Sequence, residues 1–200
     1  IERMGETVEE MLGDLAVLLK AGKIEEEAAK SILDREEKLD GIQREVVTFL
    51  SSLLSGAVAH EVMDRGRIQL RLADEYESIS DCLASIQKFR LRLEKQGHRF
   101  DEKQREELGA LHDVVAEHLG LVFDAYEKRE VESLSEITAL ATRITEEVKA
   151  LRNSHISGLS QNRMEPYVNL AFTSSLAAYR AVRDHVVNIT EAMTEENGSW

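Results

Sequence analysis

The sequence predicts an all-α protein built from two tandem three-helix bundles. One proline and eleven glycines among 200 residues leave few positions that would break a helix. Apolar residues recur at three- and four-residue spacing almost throughout, which is the pattern of helices that bury one face. Runs of β-branched residues bounded by turn residues are absent from the sequence, so strands are not expected.

Six helices follow from the apolar pattern and from the breaks between its segments. Ala21-Gly22-Lys23 ends the first helix, Ser55-Gly56 the second and Gly97 the third. Asp101 is the expected N-cap of the fourth helix, and Pro166 lies in the first turn of the sixth. The predicted spans are about 2–19, 24–54, 58–96, 102–129, 131–156 and 166–193.

An internal repeat groups these helices into two sets of three. Asp81 and Asp184 lie 103 residues apart, and the apolar positions around them align at the same separation. The segment 36–42 (EEKLDGI) of the second helix aligns with 145–151 (TEEVKAL) of the fifth at an offset of 109. The predicted organisation is a first bundle over residues 1–97, a second over 98–196 and a short tail over 197–200.

The net charge of the chain indicates which kinds of partner it can bind. The 38 acidic and 25 basic residues give a formal net charge of −13, which repels nucleic-acid phosphate and favours cations or basic partners. Nucleic-acid binding is therefore not expected. No segment reaches the ~18 to 20 continuous apolar residues of a membrane span. Because the sequence begins with Ile1 rather than Met, a longer parent protein is an expectation.

The stretch ADEYESISD at 73–81 contains four carboxylates. Each residue advances about 100° around a helix, so Asp74, Glu77 and Asp81 form one stripe. The apolar seam that begins at Tyr76 lies on roughly the opposite side, so the stripe faces away from the core of its own bundle. Such a stripe is either a solvated face of an acidic protein or a site where hard oxygen ligands bind a divalent or ferric cation. Spacing alone leaves both interpretations open.

The second copy of this stretch, LAAYRAVRD at 176–184, keeps the packing positions and loses most of the carboxylates. Ala177 and Arg180 replace two of the three, which leaves Asp184 as the one candidate metal ligand of the second stripe. A guanidinium four residues before a carboxylate can form an ion pair. We therefore expect Arg180 to take the place of a metal charge and the second bundle to be free of metal.

These motifs resemble those of the PhoU family, whose two three-helix bundles each carry an acidic motif on the third helix. The segment 74–86 (DEYESISDCLASI) is similar to the family's D-x-x-E-R-I-G-D-x-x-x-x-I, and 177–189 (AAYRAVRDHVVNI) to its G-D-H-A-x-N-I. The segment 36–45 (EEKLDGIQRE) is similar to the family's second-helix pattern E-x-x-x-D-x-L. Ser78 and Ser80 depart from the first motif, where the family favours Arg and Gly.

The resemblance implies a phosphate-linked regulator that binds metal through these motifs. Iron, zinc or another di- or trivalent ion would bind at Asp74, Glu77 and Asp81. The opening RMGETVEEML at 3–12 is also similar to the start of the PhoU-like domain that follows the membrane part of bacterial sodium/phosphate cotransporters. The expected function is that of such a regulatory domain, on the cytoplasmic side of the inner membrane. Its expected partners are the membrane part of the same chain or a phosphate transporter, and a homodimer is a further expectation.

Two alternatives stay open beside this expectation. One is a freestanding, cytoplasmic PhoU-type adaptor that contacts a phosphate ABC transporter and a sensor kinase, and the other is a helical scaffold without a ligand. An enzyme is not expected, because the sequence lacks a glycine-rich phosphate loop, G-x-S-x-G and paired histidines at ligand spacing. His185, next to Asp184, could contribute to a metal site or lie on the flank of its bundle.

Overall fold

The structure is a computed structural model and describes residues 1–21, 26–128, 134–159 and 165–197. Within these ranges the chain forms six α-helices and no strand. The all-α prediction is therefore confirmed. In chain order the helices are α1 (Glu2–Lys20), α2 (Glu26–Leu54), α3 (His60–Lys95), α4 (Glu102–Lys128), α5 (Leu134–Leu159) and α6 (Pro166–Asn197).

Two helices are longer than the sequence predicts. α5 continues through Ser157 to Leu159, and α6 continues to Asn197, which was predicted as tail. In both, a hydroxyl group near the expected end donates to a carbonyl four residues earlier, Ser157 at 2.9 Å and Thr194 at 2.7 Å. These hydroxyls bond back to the helix instead of ending it. The predicted boundaries at Ile24, Arg129 and Val131 lie outside the described residues.

The predicted start of α4 is confirmed and has a reciprocal cap. Oδ1 of Asp101 accepts a hydrogen bond from the backbone N–H of Gln104 at 2.8 Å, and Oε1 of Gln104 accepts one from the N–H of Asp101 at 2.9 Å. This arrangement is a capping box, which satisfies two donors that a helix start leaves unpaired. Pro166 is the first residue of α6, where a missing N–H costs nothing.

The turn after α3 depends on Gly97. Its backbone φ is +76°, in the left-handed region that L-residues with a side chain disfavour. The N–H of Gly97 donates to the carbonyl of Glu94 at 2.9 Å, and that of His98 donates to the carbonyl of Leu93 at 3.1 Å. Together these bonds form a Schellman motif, which ends the helix and directs the chain toward α4.

Replacing Gly97 by alanine is expected to lower the free energy of unfolding by about 1 to 2 kcal/mol, because a left-handed conformation costs an L-residue that much. Apart from its chain neighbours, no atom of the described residues lies within 4 Å of an added Cβ there, so the expected cost is backbone strain. Gly97→Asn should lose less, since asparagine tolerates this conformation better. Urea unfolding of both variants measures the difference, and equal losses would contradict the conformational explanation.

The contacts between helices group them in threes. α1, α2 and α3 all pack against one another, and so do α4, α5 and α6. The two groups meet where α3 packs along α6 and α1 packs against α4. One apolar cluster runs through both groups. The turn at Gly97 lies between them, and a division of the chain into separate folding units at this turn stays a prediction.

The core confirms the predicted buried faces of α1 and α3. The predicted inward positions of α1 are at most 4% exposed, namely Met4, Val8, Met11, Leu12, Leu15 and Leu19, whereas Val17 on the other side is 50% exposed. On α3 the seam from Tyr76 to Ile86 is likewise buried, so the carboxylates between those positions lie on the other side of the helix. None of the helices within the described ranges is both long and apolar enough to cross a membrane.

Candidate metal site

Three carboxylates from two helices lie close together in the first group of helices. One oxygen each from Asp40 on α2 and from Glu77 and Asp81 on α3 lies within 4.8 Å of the other two. Two oxygens that bind the same cation at roughly 2.0 to 2.6 Å can be at most about 5 Å apart. A single cation can therefore contact all three side chains.

Asp40 is the member of this group that the stripe on α3 did not predict. Its Oδ1 is buried and accepts no hydrogen bond from the described residues. A buried acceptor without a donor costs about 1 to 3 kcal/mol, which a bound cation would recover. One turn earlier, Glu36 accepts from Nζ of Lys88 at 2.9 Å. The E-x-x-x-D pattern of α2 thus places both of its carboxylates against α3.

The electrostatics of the group favour a positive charge. Burial raises the pKa of Glu77, and the negative charges of Asp81 and Asp40 raise it further. Burial also raises the pKa of Asp81, with Glu36 and Asp40 adding to the effect and Lys88 opposing it. Each carboxylate therefore makes its neighbour harder to ionise, and one lysine at the edge does not compensate. A hard divalent or trivalent cation would remove this repulsion, so the residues present fit a metal.

Asp74 lies outside the group, although it shares the stripe with Glu77 and Asp81. Its side chain is exposed, and its Oδ1 accepts a hydrogen bond from Nε2 of Gln43 at 2.8 Å. Asp40 on α2 lies beside Glu77 on α3. One turn later on α2, Gln43 contacts Asp74, which is one turn earlier on α3. α2 and α3 therefore run antiparallel, and the residue of α2 that faces Asp74 carries an amide instead of a carboxylate.

The second group of helices lacks a comparable set of carboxylates within the described residues. At the offsets of the sequence repeat, one of the four acidic positions keeps its carboxylate and two become basic. The equivalents of Glu36, Asp40, Glu77 and Asp81 are Thr145, Lys149, Arg180 and Asp184.

Asp184 pairs with a different arginine from the one predicted. Nη1 of Arg183 donates to Oδ1 of Asp184 at 2.6 Å, and Nη2 of Arg183 donates to the hydroxyl of Thr145 on α5. Arg180 is exposed and makes no ion pair with the described residues. The guanidinium beside Asp184 is therefore the one that reaches toward α5. The expected contact between Arg180 and Asp184 is not formed.

His185 contacts α3 instead of a metal group. Its Nδ1 lies 2.7 Å from Oε2 of Glu75, and Nδ2 of Asn188 donates to both oxygens of Glu75 at 3.1 Å. The Glu75 side chain is 16% exposed, so this polar contact is largely enclosed where α3 packs along α6. The acidic stripe does not include Glu75, and local spacing does not identify its contacts, because its partners lie on a helix about 110 residues away.

Residues 1–89 match the family model for the PhoU domain. This first stretch of the chain is similar to a PhoU domain. The structure is similar to PhoU from Pseudomonas aeruginosa, with a TM-score of 0.86 and 14% identity over 99% of this chain and 93% of that one. It is also similar to the phosphate transport system regulatory protein PhoU from Streptococcus pneumoniae, with a TM-score of 0.82 and 18% identity over 100% of this chain and 92% of that one.

The PhoU fold thus extends over the whole chain, whereas the PhoU family model matches its first part. No curated protein sequence matches the chain. The matched stretch contains all three carboxylates of the candidate site. The second repeat, where those positions are mostly not acidic, lies outside the match.

Proposed function

We propose that the chain is a PhoU-type regulator of phosphate transport whose first bundle binds a metal ion. The main support is that one stretch of sequence both matches the PhoU domain and contains the carboxylate group. The streptococcal neighbour is called a phosphate transport system regulatory protein. A regulator of this kind acts through contacts with other proteins instead of through catalysis.

A freestanding adaptor is better supported than a domain of a sodium/phosphate cotransporter. The chain covers 93% and 92% of the two PhoU chains, so those chains contain little besides this fold. Neither of them is described as part of a cotransporter. The proposed partners are a phosphate ABC transporter and a sensor kinase, the proposed location is the cytoplasm, and a homodimer is proposed as the assembly.

The ligands proposed for the metal are Asp40, Glu77 and Asp81, with Glu36 close enough to influence them. All are carboxylates, which prefer hard ions such as Mg²⁺, Mn²⁺ or ferric iron, whereas zinc prefers nitrogen and sulfur ligands. The nearby Cys82 does not change this preference, because burial raises the pKa of its thiol to about 11. Asp74 and Asp184 are not part of the proposed set.

A binding experiment distinguishes a freestanding adaptor from a domain of a sodium/phosphate cotransporter. The immobilised chain is exposed to the ATPase subunit of the phosphate ABC transporter, the cytoplasmic part of the sensor kinase and the membrane part of a sodium/phosphate cotransporter, all from the source organism. Retention of the ATPase or the kinase is the expected result. Retention of the cotransporter alone would favour the domain interpretation, and retention of none of them would favour a scaffold.

A further inference from the structure

A small cavity between the end of α3 and the start of α4 is lined largely by basic side chains. Its position is about 14 Å along the axis of α3 from Asp81, since Arg90 lies nine residues later. In a chain with a net charge of −13, such a concentration of positive charge is unusual. The lining consists of Arg90, Arg99, Arg105 and His98 together with Glu94, Ala21, Leu93 and Phe100.

Two of these arginines have buried donors without acceptors. Arg90 is only 8% exposed, and its Nη1 has no hydrogen-bond partner among the described residues. Nε of Arg105 is likewise buried and unpaired within that part of the chain. A buried charged donor is normally paired and hydrogen-bonded, because leaving it alone is costly. Both arginines line the cavity, and each has a buried N–H without an acceptor among the described residues.

The sequence repeat shows that Arg90 occupies a core position. Its equivalent at the offset of 103 is Met193 on α6, which is 8% exposed. The same position of the fold therefore accepts an apolar side chain, and packing alone does not require an arginine. The charge at this position in the first repeat needs another explanation.

The charges around the cavity do not cancel. Glu94 is the one carboxylate in the lining, and it accepts from Nη2 of Arg99 at 2.9 Å. Burial lowers the pKa of Arg90, and the positive charge of Arg105 adds to this effect, whereas Tyr179 and Glu94 oppose it. With three guanidinium groups against one carboxylate, the lining retains an excess of two positive charges.

We propose that this cavity binds a small tetrahedral oxyanion of the phosphate class between Arg90 and Arg105. The planar guanidinium group presents paired N–H donors that match the oxygens of such an ion. The cavity volume is about 30 Å³, a few times the ~10 to 15 Å³ that one water requires. This space suits one small ion and is too small to enclose a nucleotide. The N-terminus of α4 is not needed as a donor, since Asp101 and Gln104 already cap it.

Binding is tested on the full chain by thermal unfolding and calorimetry in sodium phosphate, sodium sulfate and sodium chloride at equal ionic strength, without metal. An ion that binds only the folded state raises the melting temperature, and the increase continues with the logarithm of the ion concentration above its dissociation constant. Phosphate is expected to stabilise the wild type beyond chloride and to give a measurable heat of binding. Sulfate, which has the same shape, should compete with phosphate. Identical melting in all three salts, with no heat of binding, would overturn the proposal.

Arg90→Met inserts the residue that the second repeat has at this position. It should lower phosphate affinity at least about tenfold, because a hydrogen bond to a charged group is lost. In chloride it should melt no lower than the wild type, since it removes a buried charge that has a donor without an acceptor. Arg92→Met, which removes the same charge from an exposed position of α3, should bind phosphate like the wild type.

Two outcomes for the variants contradict the proposal. Unchanged phosphate affinity in Arg90→Met would show that the cavity is not the site. A large loss of stability of that variant in chloride would show that the protein itself satisfies the guanidinium. If Arg90→Met does not fold, Arg105→Met gives the same affinity test. Asp40→Asn should bind phosphate normally, which keeps this test separate from that of the metal site.

Discussion

Replacing Asp40 by asparagine is expected to lower the affinity of the chain for Mn²⁺ by at least about a hundredfold. Asparagine keeps the size of the side chain and one oxygen, but it removes the charge at the only position where α2 contributes to the group of three carboxylates. Loss of even an outer partner of a metal ligand typically costs 10- to 100-fold in affinity. Titration calorimetry with Mn²⁺, supported by metal analysis of the purified protein, measures the change.

Asp74→Asn is the matched control for this prediction. It makes the same chemical change one turn away on the predicted stripe, at a carboxylate that Gln43 already contacts. It should bind Mn²⁺ like the wild type, and so should Asp184→Asn, whose carboxylate pairs with Arg183. If Asp74→Asn lost the metal while Asp40→Asn kept it, the site would follow the stripe on α3 instead of the contact between α2 and α3.

Asp40→Asn is also expected to change the stability of the chain in the absence of metal. The pKa values of Glu77 and Asp81 are raised in the folded chain, so the unfolded chain ionises first as pH rises and stability falls across that interval. Above this pH interval, Asp40, Glu77 and Asp81 are all charged and repel one another. Asp40→Asn should therefore be more stable than the metal-free wild type at neutral pH, by a few tenths of a kcal/mol. The advantage should disappear at low pH, where the carboxylates are protonated.

Replacing Gly5 by alanine is expected to lower the free energy of unfolding by about 1 to 3 kcal/mol, the usual cost of overpacking a core. A Cβ at this position would lie 2.3 Å from Cε2 and 2.5 Å from Cδ2 of Phe123. Phe123 is itself 6% exposed, so its ring has little space in which to move. The loss appears although alanine favours a helix by about 1 kcal/mol over glycine. Urea unfolding measures it.

Two further variants isolate the contact between α1 and α4. Gly13→Ala changes another glycine of α1, where no atom of the described residues outside the helix's own backbone lies within 4 Å of the new Cβ. It should stabilise the chain by up to about 1 kcal/mol. Gly5→Ala combined with Phe123→Leu should lose less than the sum of the two single changes, because the smaller side chain relieves the clash. An additive double variant would show that the ring and the new methyl group do not meet.

Local patterns predict much of this protein, because helices depend on residues close in sequence. Three- and four-residue spacing identifies the buried faces of α1 and α3, and Asp101 marks the start of α4. The ends of α5 and α6 are less predictable, since a hydroxyl group can either cap a helix or bond back into it. The repeat identifies which positions of the two halves are equivalent. It also shows that the second half has lost most of its carboxylates.

The sequence by itself determined the six-helix PhoU fold, the acidic stripe on α3 and the loss of acidic residues in its second copy. Only the tertiary structure decided which of those side chains act together. It placed Asp40 beside Glu77 and Asp81, left Asp74 to Gln43, paired Asp184 with Arg183 and enclosed Arg90 in a cavity with Arg105. A helical period determines which side of a helix a residue occupies. The partner on that side depends on the antiparallel register of another helix, which no local pattern contains.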